Sequence, residues 1–282
     1  MEELKCFNVT DYFTIIDGRI FFDISYSGCG SNCSYCYVDT KNDKQHLLSF
    51  ERIRYICDYI EDNFHPRKYI ISLCPNTEPL KSDKSASFIL YIARYFLERD
   101  NFIQISTKEK IDTSFLDKIN SISDGRVYIH ISIPFLDNTE KIEPFAAPVN
   151  CRLENFILGK KYNSVHFVLY IKPYSQKTNE NMLRYVQVIN KYDIQNVCVG
   201  VRFEAMNQMP CISLYDPLLA NRMMSNQKDH IVKFIDYLRE FSSAKVYCSS
   251  TCIINCDSKN DCSFKLFNYS SSLCADCIAY ST

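Results

Sequence analysis

Residues 28–37 have the sequence Gly-Cys-Gly-Ser-Asn-Cys-Ser-Tyr-Cys-Tyr. This stretch spaces Cys29, Cys33 and Cys36 as C-x3-C-x2-C, with an aromatic residue immediately before the last cysteine. A structural zinc site needs a fourth ligand to close its tetrahedron, and the nearest histidine, His46, falls at the start of the next predicted helix. Three thiolates instead suit a [4Fe–4S] cluster with one iron left open for a small molecule. The motif therefore favours an iron–sulfur loop, with a structural zinc knuckle as the alternative.

Short β-rich runs alternate with longer amphipathic stretches around this loop. Apolar runs such as Phe167–Tyr170 are nearly continuous, which is typical of strands buried on both faces. The predicted strands are Ile20–Tyr26, Tyr69–Leu73, Phe102–Ser106, Val127–Ile133, Val165–Ile171 and Val197–Phe203, with a weaker seventh at Ala244–Tyr247. The predicted helices are Ser49–Asn63, Ser85–Glu98, Thr113–Ile122, Cys151–Lys161, Asn179–Tyr192 and Ser225–Phe241. This order predicts an α/β fold, a partial (β/α)6 TIM-like barrel with its chemistry at the carboxyl ends of the strands.

Composition excludes several classes of protein. The 282 residues are 46% hydrophobic and 23% charged, as expected for a globular core, and the apolar runs are too short to span a membrane. The polar N-terminal residues contain no secretory signal, so we expect a cytoplasmic protein. With 32 basic and 33 acidic side chains, the formal net charge of −1 argues against holding nucleic acid by bulk charge. A local basic patch is the alternative left open.

Fifteen cysteines are unusual for a cytosolic chain, in which thiols stay reduced. Six of them follow the last predicted strand, at Cys248, Cys252, Cys256, Cys262, Cys274 and Cys277. Thiolate-rich sequence without histidine favours iron–sulfur or zinc binding. We therefore predict two regions: a barrel over residues 1–247, with its core at about 20–203, and a small cysteine-rich extension over residues 248–282.

The loop at 28–37 resembles the cluster loop of the radical S-adenosylmethionine superfamily. Further segments, in order along the chain, are similar to the spore photoproduct lyase-like branch: Leu73–Pro79, Ser106–Lys108, His130–Ile133, Glu143–Pro148 with Arg152-Leu153, and Ile171–Pro173. The resemblance implies a barrel in which the open iron binds the methionine end of S-adenosylmethionine. Reductive cleavage then yields a 5′-deoxyadenosyl radical that abstracts hydrogen from substrate. It also implies a low-potential electron donor such as flavodoxin or ferredoxin.

The resemblance also suggests roles for individual residues. Thr77 and Glu78 are expected at the methionine ammonium, with Glu78 preferred because a carboxylate forms a charge-assisted hydrogen bond. Predicted cofactor contacts elsewhere are Lys108 and Arg152 as cations, Ser132 at the ribose or carboxylate, Gly200 at the adenine, and Tyr35 and Tyr37 around the loop. The alternatives are an exposed loop acid for Glu78, a structural role for Lys108, Ser132 and Arg152, and a packing glycine at Gly200.

Cys74 follows strand two and is expected to face the barrel mouth. In the branch that this chain resembles, a cysteine near this point returns a hydrogen atom to the product radical. Because Pro75 and Asn76 separate it from Thr77, the local spacing does not align cleanly. Cys74 is therefore a candidate hydrogen donor, with core packing as the alternative.

The cysteine-rich extension is where the chain departs from spore photoproduct lyase. We expect it to hold an auxiliary [4Fe–4S] cluster, on Cys256, Cys262, Cys274 and Cys277 in the preferred assignment, with Cys252 and then Cys248 as substitutes. A four-cysteine zinc site is the alternative.

Three functions are consistent with these residues. The first is a radical S-adenosylmethionine enzyme that acts on a peptide, protein or small molecule. The second is a nucleic-acid lesion lyase with the same chemistry, which the net charge and the extra cysteines disfavour. The third is a non-catalytic iron–sulfur or zinc protein, which would have no need of Thr77 and Glu78 at a strand end.

Overall fold

A computed structural model describes residues 7–16, 18–36, 44–200, 230–231, 233–247, 250 and 253–254. The strands are β1 Phe13–Ile16, β2 Arg19–Phe22, β3 Ser25–Ser27, β4 His46–Leu47, β5 Ile70–Leu73, β6 Phe102–Thr107, β7 Val127–Ser132, β8 Val165–Ile171, β9 Asn196–Val199 and β10 Lys245–Tyr247. The α-helices are α1 Phe50–Phe64, α2 Asp83–Leu97, α3 Thr113–Ser123, α4 Thr139–Ile142, α5 Val149–Gly159, α6 Gln176–Glu180 and α7 Met182–Tyr192. A 3-10 helix at Val9–Asp11 precedes β1, and the described residues of 230–241 are helical.

The main sheet has eight strands in the order β1-β2-β5-β6-β7-β8-β9-β10. Every neighbouring pair from β2 to β10 is parallel, and only β1 runs antiparallel to its neighbour, β2. Consecutive parallel strands require crossover connections, which α1, α2, α3, α5 and α7 provide. The predicted α/β fold, a partial TIM-like barrel, is thus confirmed.

The first predicted strand differs from the observed one. Instead of one strand over Ile20–Tyr26, β2 ends at Phe22, and β3 pairs with β4 in a separate two-stranded sheet. The Asp23 N–H donates to the carbonyl of Tyr12 (2.8 Å), which continues the pairing with β1 by one residue, and the chain leaves the main sheet after Asp23. This departure places the residues that follow β3 over the carboxyl edge of the sheet.

Other element boundaries shift for identifiable reasons. The predicted helix Asn179–Tyr192 is divided at Asn181, which ends α6 and precedes α7. α6 begins earlier than predicted because Ser175 and Thr178 form a capping box. The weak seventh strand is confirmed as β10, parallel to β9. Residues 201–203 of the sixth predicted strand and 225–229 of the last predicted helix lie outside the described residues.

The main core lies between the sheet and the helices. In α1 the buried residues are Ile53, Ile56, Cys57 and Ile60, the same face that the apolar spacing predicts. Ile129 and Ile131 of β7 point to this core, whereas Tyr128 belongs to a smaller cluster on the opposite face. We call that opposite face of the sheet the inner face.

None of the helices in the described ranges combines the length and apolarity that crossing a bilayer requires.

Candidate active site at the carboxyl edge of the sheet

The cysteine loop follows β3 and curls back on itself. Gly28 and Gly30 have positive φ angles of 72° and 75°, a conformation that glycine adopts without steric cost. The Cys36 N–H donates to the Cys33 carbonyl (3.0 Å), and the Ser34 N–H donates to the carbonyl of Ile142 (2.9 Å). Cys33 is buried, while Cys29 and Cys36 are half-buried. Tyr37 lies outside the described residues.

The three thiols form a donor set that fits an iron–sulfur cluster. They share one short loop over the sheet edge, and a cluster with an open iron needs only three protein ligands. Within the described ranges, no three Cys, His, Asp or Glu side chains are already grouped to hold a metal ion. The loop therefore offers the ligands, and binding of a cluster would draw the thiols together.

Lys108 supplies a positive charge beside the cysteine loop. It follows β6 directly, and its Nζ lies 5.8 Å from the centre of the Tyr35 ring. Burial opposes its charge, but the thiol of Cys33 and the carboxylates of Glu143 and Glu78 outweigh burial and raise the pKa of Lys108. Burial raises the pKa of Cys33 to about 11, although the charge of Lys108 acts in the opposite direction. An anionic ligand at this edge would thus meet a lysine that stays protonated.

Glu143 connects the cysteine loop to the barrel. The Tyr35 hydroxyl donates to one carboxylate oxygen of Glu143, and Nη2 of Arg152 donates to the other (2.7 Å). Nη1 of Arg152 donates to the carbonyl of Ser132 at the end of β7 (2.8 Å). The side chains of Arg152 and Glu143 are 1% and 0% exposed. The predicted cation Arg152 is therefore part of a buried ion pair that holds the loop against β7.

Glu78 joins the ends of two neighbouring strands. Its buried carboxylate accepts hydrogen bonds from the Thr107 hydroxyl, the Lys108 N–H (2.9 Å) and the Leu80 N–H (3.3 Å). Burial raises the pKa of Glu78 against the effect of these donors. A carboxylate has about four acceptor positions, so room remains for one further donor such as an ammonium group.

Asp23 is a site residue that sequence reasoning missed. It follows β2 and accepts hydrogen bonds from Nδ2 of Asn76 (2.7 Å) and from the Thr77 hydroxyl (3.3 Å). Burial raises the pKa of Asp23 to about 6. The sequence could have indicated this role, because Asp23 directly follows one parallel strand and therefore lies beside the polar turn that follows the neighbouring strand.

Cys74 lies in the turn after β5 with a φ of 56°. Its side chain is 3% exposed and packs in the main core with Leu73 and Ile24. Burial, and then the charge of Asp23, raise the pKa of Cys74 well above the ordinary value for a thiol. The group therefore carries its S–H hydrogen, and the role of hydrogen donor stays a prediction.

Gly200 follows β9 and makes room for Lys172. A Cβ atom at position 200 would come within 2.9 Å of Cδ of Lys172. The sequence predicts that adenine packs closely against Gly200, but in the structure the aliphatic part of the Lys172 side chain does so. The adenine role of Gly200 stays a prediction, as do the cofactor roles of Thr77, Glu78, Lys108 and Ser132.

The six C-terminal cysteines lie outside the described residues. Immediately before most of them, Ile253 and Ile254 are fully buried in the smaller cluster on the inner face, with Tyr128 and Val168. The start of the extension therefore packs into the barrel, and the boundary at 247/248 stays a prediction.

Comparison with known proteins gives no match to a family model or to a curated protein sequence. Solved structures do match. Spore photoproduct lyase complexed with dinucleoside spore photoproduct has a TM-score of 0.58 at 12% identity, over 81% of this chain and 76% of that one. The chain has the fold of spore photoproduct lyase. A doubly substituted spore photoproduct lyase with bound AdoMet has a TM-score of 0.59 at 12% identity, over 82% and 76%.

A second enzyme of this fold, anSMEcpe with bound AdoMet, has a TM-score of 0.53 at 12% identity, over 85% of this chain and 66% of that one. The resemblance inferred from residues 28–37 and the later segments is thus confirmed at the level of the fold.

Proposed function

We propose that the chain is a radical S-adenosylmethionine enzyme. The observation that supports this most strongly is the position of Cys29, Cys33 and Cys36, on one loop over the carboxyl edge of a parallel sheet. Ligands of α/β sheets bind at this edge, because the strand ends and the loops after them converge there. The fold shared with enzymes that were solved with AdoMet bound supports the same function.

The three cysteines would hold a [4Fe–4S] cluster with one open iron. When reduced and bound to S-adenosylmethionine, such a cluster supplies the electron that cleaves the cofactor to a 5′-deoxyadenosyl radical. The chain's own part is to bind and orient the cofactor. Tyr35 anchors the loop through Glu143, and the half-buried Lys108 supplies a positive charge beside it.

The methionine end of the cofactor would lie along the ends of β5 to β7. The last acceptor position of Glu78 is suited to the ammonium, and the protonated Lys108 is suited to the carboxylate. Ser132 would bind the ribose or carboxylate. Arg152 would act mainly by fixing Ser132 and Glu143, since its Nη atoms donate to both. Tyr35, Tyr37 and Gly200 would flank the adenine.

The extension would hold an auxiliary [4Fe–4S] cluster, with Cys256, Cys262, Cys274 and Cys277 as the preferred ligands and zinc as the alternative metal. The burial of Ile253 and Ile254 inside the barrel supports this, because it brings the extension to the inner face. From there a second cluster could relay an electron or ligate substrate.

A peptide, a protein side chain or a small molecule is the proposed substrate, and flavodoxin or ferredoxin is the proposed electron donor. A nucleic-acid lesion lyase is the second candidate, because the similar lyase structures bind a dinucleoside spore photoproduct. The net charge of −1 favours the first.

Electron paramagnetic resonance of the reduced, anaerobically reconstituted protein tests the proposal. Binding of S-adenosylmethionine to an open iron should change the cluster signal in a saturable way. A signal that the cofactor leaves unchanged would favour a non-catalytic iron–sulfur protein. Cys151→Ala removes a half-buried thiol on α5, outside the loop, and as a matched control it should show the same change in the signal as the wild type.

A further inference from the structure

Asp23, which directly follows β2, is hydrogen-bonded to the turn after the neighbouring strand β5. We call residues 74–78 the β5 turn. One carboxylate oxygen of Asp23 accepts from Nδ2 of Asn76 (2.7 Å), and the other accepts from the hydroxyl of Thr77 (3.3 Å). The backbone of the turn is held at the same place, because the Cys74 N–H donates to the last carbonyl of β2 (2.8 Å). Asp23 thus connects the strand that leads to the cysteine loop with the turn that we assign to the cofactor.

The carboxylate of Asp23 determines how its two partners are oriented. Burial raises the pKa of Asp23 to about 6, although the hydrogen bonds from Asn76 and Thr77 act in the opposite direction, so the group is mainly ionised at pH 7. An ionised carboxylate accepts hydrogen bonds and donates none. The Asn76 amide must therefore point its NH₂ group at Asp23, and the Thr77 hydroxyl must point its hydrogen there.

This orientation leaves acceptors on the β5 turn. The Asn76 amide is left with Oδ1, which is buried and has no hydrogen-bond partner among the described residues. The Thr77 oxygen keeps a lone pair, and the next residue, Glu78, keeps an acceptor position on its buried carboxylate. Buried polar atoms in folded proteins are nearly always paired, so the unpaired Oδ1 of Asn76 indicates a donor from a bound molecule.

We propose that Asp23 is a positioning residue for the amino group of S-adenosylmethionine, because it occupies the donors of Asn76 and Thr77 and so directs Oδ1 of Asn76 and the Thr77 oxygen at that group. The identity of the ligand rests on the proposed function, whereas the contacts of Asp23 do not. An ammonium group has three N–H donors and no acceptor, so it matches a turn that presents acceptors. An amide at position 23 would itself donate to one of the two partners and turn that acceptor away.

Calorimetric titration of the anaerobically reconstituted, unreduced protein tests this role. Without a reductant the cofactor is not cleaved, so the heat of binding reports affinity alone. The probes are S-adenosylmethionine and 5′-methylthioadenosine, which keeps the adenosine and its sulfur but lacks the amino acid end. A general loosening of the site weakens both ligands, whereas a misdirected turn weakens only the first. Where 5′-methylthioadenosine binds too weakly for calorimetry, iron content and urea unfolding of the same samples show whether the site is intact.

Two variants separate orientation from charge. Asp23→Asn keeps the shape of the side chain but adds a donor, and it should lower the affinity for S-adenosylmethionine about 10-fold, the lower limit for one hydrogen bond to a charged group. Asn76→Ala removes Oδ1 and should lower this affinity by a similar factor. Both variants should bind 5′-methylthioadenosine as the wild type does. Asp58→Asn is the matched control, since Asp58 on α1 also accepts from a hydroxyl, that of Tyr95 (3.0 Å), and should leave both affinities unchanged.

An unchanged affinity for S-adenosylmethionine in Asp23→Asn, or an equal loss for both ligands, would overturn the positioning role and keep the proposed function. A loss in Asp23→Asn without a loss in Asn76→Ala would show that Asp23 acts by its charge alone, which also overturns the positioning role. Where Asp23→Asn fails to fold, an unchanged affinity in Asn76→Ala is sufficient to overturn it. A wild type that takes up iron but does not bind S-adenosylmethionine would overturn the proposed function and the role of Asp23 together.

Discussion

The ion pair between Arg152 and Glu143 gives the sharpest prediction for stability. Both side chains are almost fully buried, and their atoms Nη2 and Oε2 are 2.7 Å apart. Glu143→Gln keeps the size of the side chain but leaves the charge of Arg152 buried without its counter-charge. Removing one partner of a buried pair costs about 3–5 kcal/mol, and the remaining amide acceptor places this variant near the lower figure. A loss of about 3 kcal/mol is a large fraction of the usual 5–15 kcal/mol stability of a domain.

Urea unfolding of the wild type and three variants measures this effect. Glu154→Gln is the matched control, since Glu154 pairs with Lys110 at the surface and should change the free energy of unfolding little. The double variant Glu143→Gln/Arg152→Met removes both buried charges and should recover much of the loss. A Glu143→Gln protein as stable as Glu154→Gln, or a double variant less stable than Glu143→Gln alone, would refute this role of the pair.

The same variant tests the cysteine loop. Glu143 accepts the hydrogen bond from Tyr35, so its replacement should also loosen the loop and lower the iron retained by Cys29, Cys33 and Cys36. Iron analysis after reconstitution measures this, with Glu154→Gln again as the control. Unchanged iron retention in a destabilised Glu143→Gln protein would restrict the pair to a role in folding.

Three further predictions concern the cofactor, the pH dependence and the extension. Glu78→Gln should weaken S-adenosylmethionine binding by about 10- to 100-fold while the cluster still assembles, because an uncharged amide replaces a charged acceptor. An unchanged affinity in an electron paramagnetic resonance titration with S-adenosylmethionine would indicate that Thr77, not Glu78, binds the ammonium group. Burial lowers the pKa of His130, on β7, to about 3 in the folded protein, below the ordinary 6.5. The contribution of its neutral ring to the free energy of unfolding is therefore complete above pH 6.5, and it falls by up to about 1.4 kcal/mol per pH unit as the pH is lowered toward 3. His130→Phe should reduce this dependence of the free energy of unfolding on pH in urea unfolding experiments. Asp23, whose pKa is raised to about 6, contributes a dependence of opposite sign, and the variant should retain it. Iron should approach about eight atoms per chain after reconstitution, and a value near four with zinc present would reject the auxiliary cluster.

Sequence periodicity predicted most of the parallel sheet, because its strands are continuous apolar runs and its helices carry one apolar face. β1 was missed, although Gly18 after Asp17 is a typical hairpin turn signal between β1 and β2. The separate sheet of β3 and β4 was missed as well. Its strands are only three and two residues long, too short to show a period.

The cysteine loop could be found from spacing alone, since its ligands are neighbours in sequence. The contacts of Glu143 with Tyr35 and Arg152 could not, because tertiary structure brings together residues from a loop and a helix. The proximity of His130 to Arg19 and Lys172, whose charges act on its pKa after burial, was missed for the same reason. Arg19 lies on β2, His130 lies on β7 and Lys172 directly follows β8, so only the order of the strands brings them into one region.

Formation of 5′-deoxyadenosine from S-adenosylmethionine tests the central claim most directly. The anaerobically reconstituted protein is reduced with dithionite, and the product is quantified by chromatography. The wild type and Cys151→Ala should both form it, whereas Cys29→Ala, Cys33→Ala and Cys36→Ala should each form none. No product from a wild-type protein that has taken up its full complement of iron, or equal product from Cys33→Ala, would contradict the assignment as a radical S-adenosylmethionine enzyme.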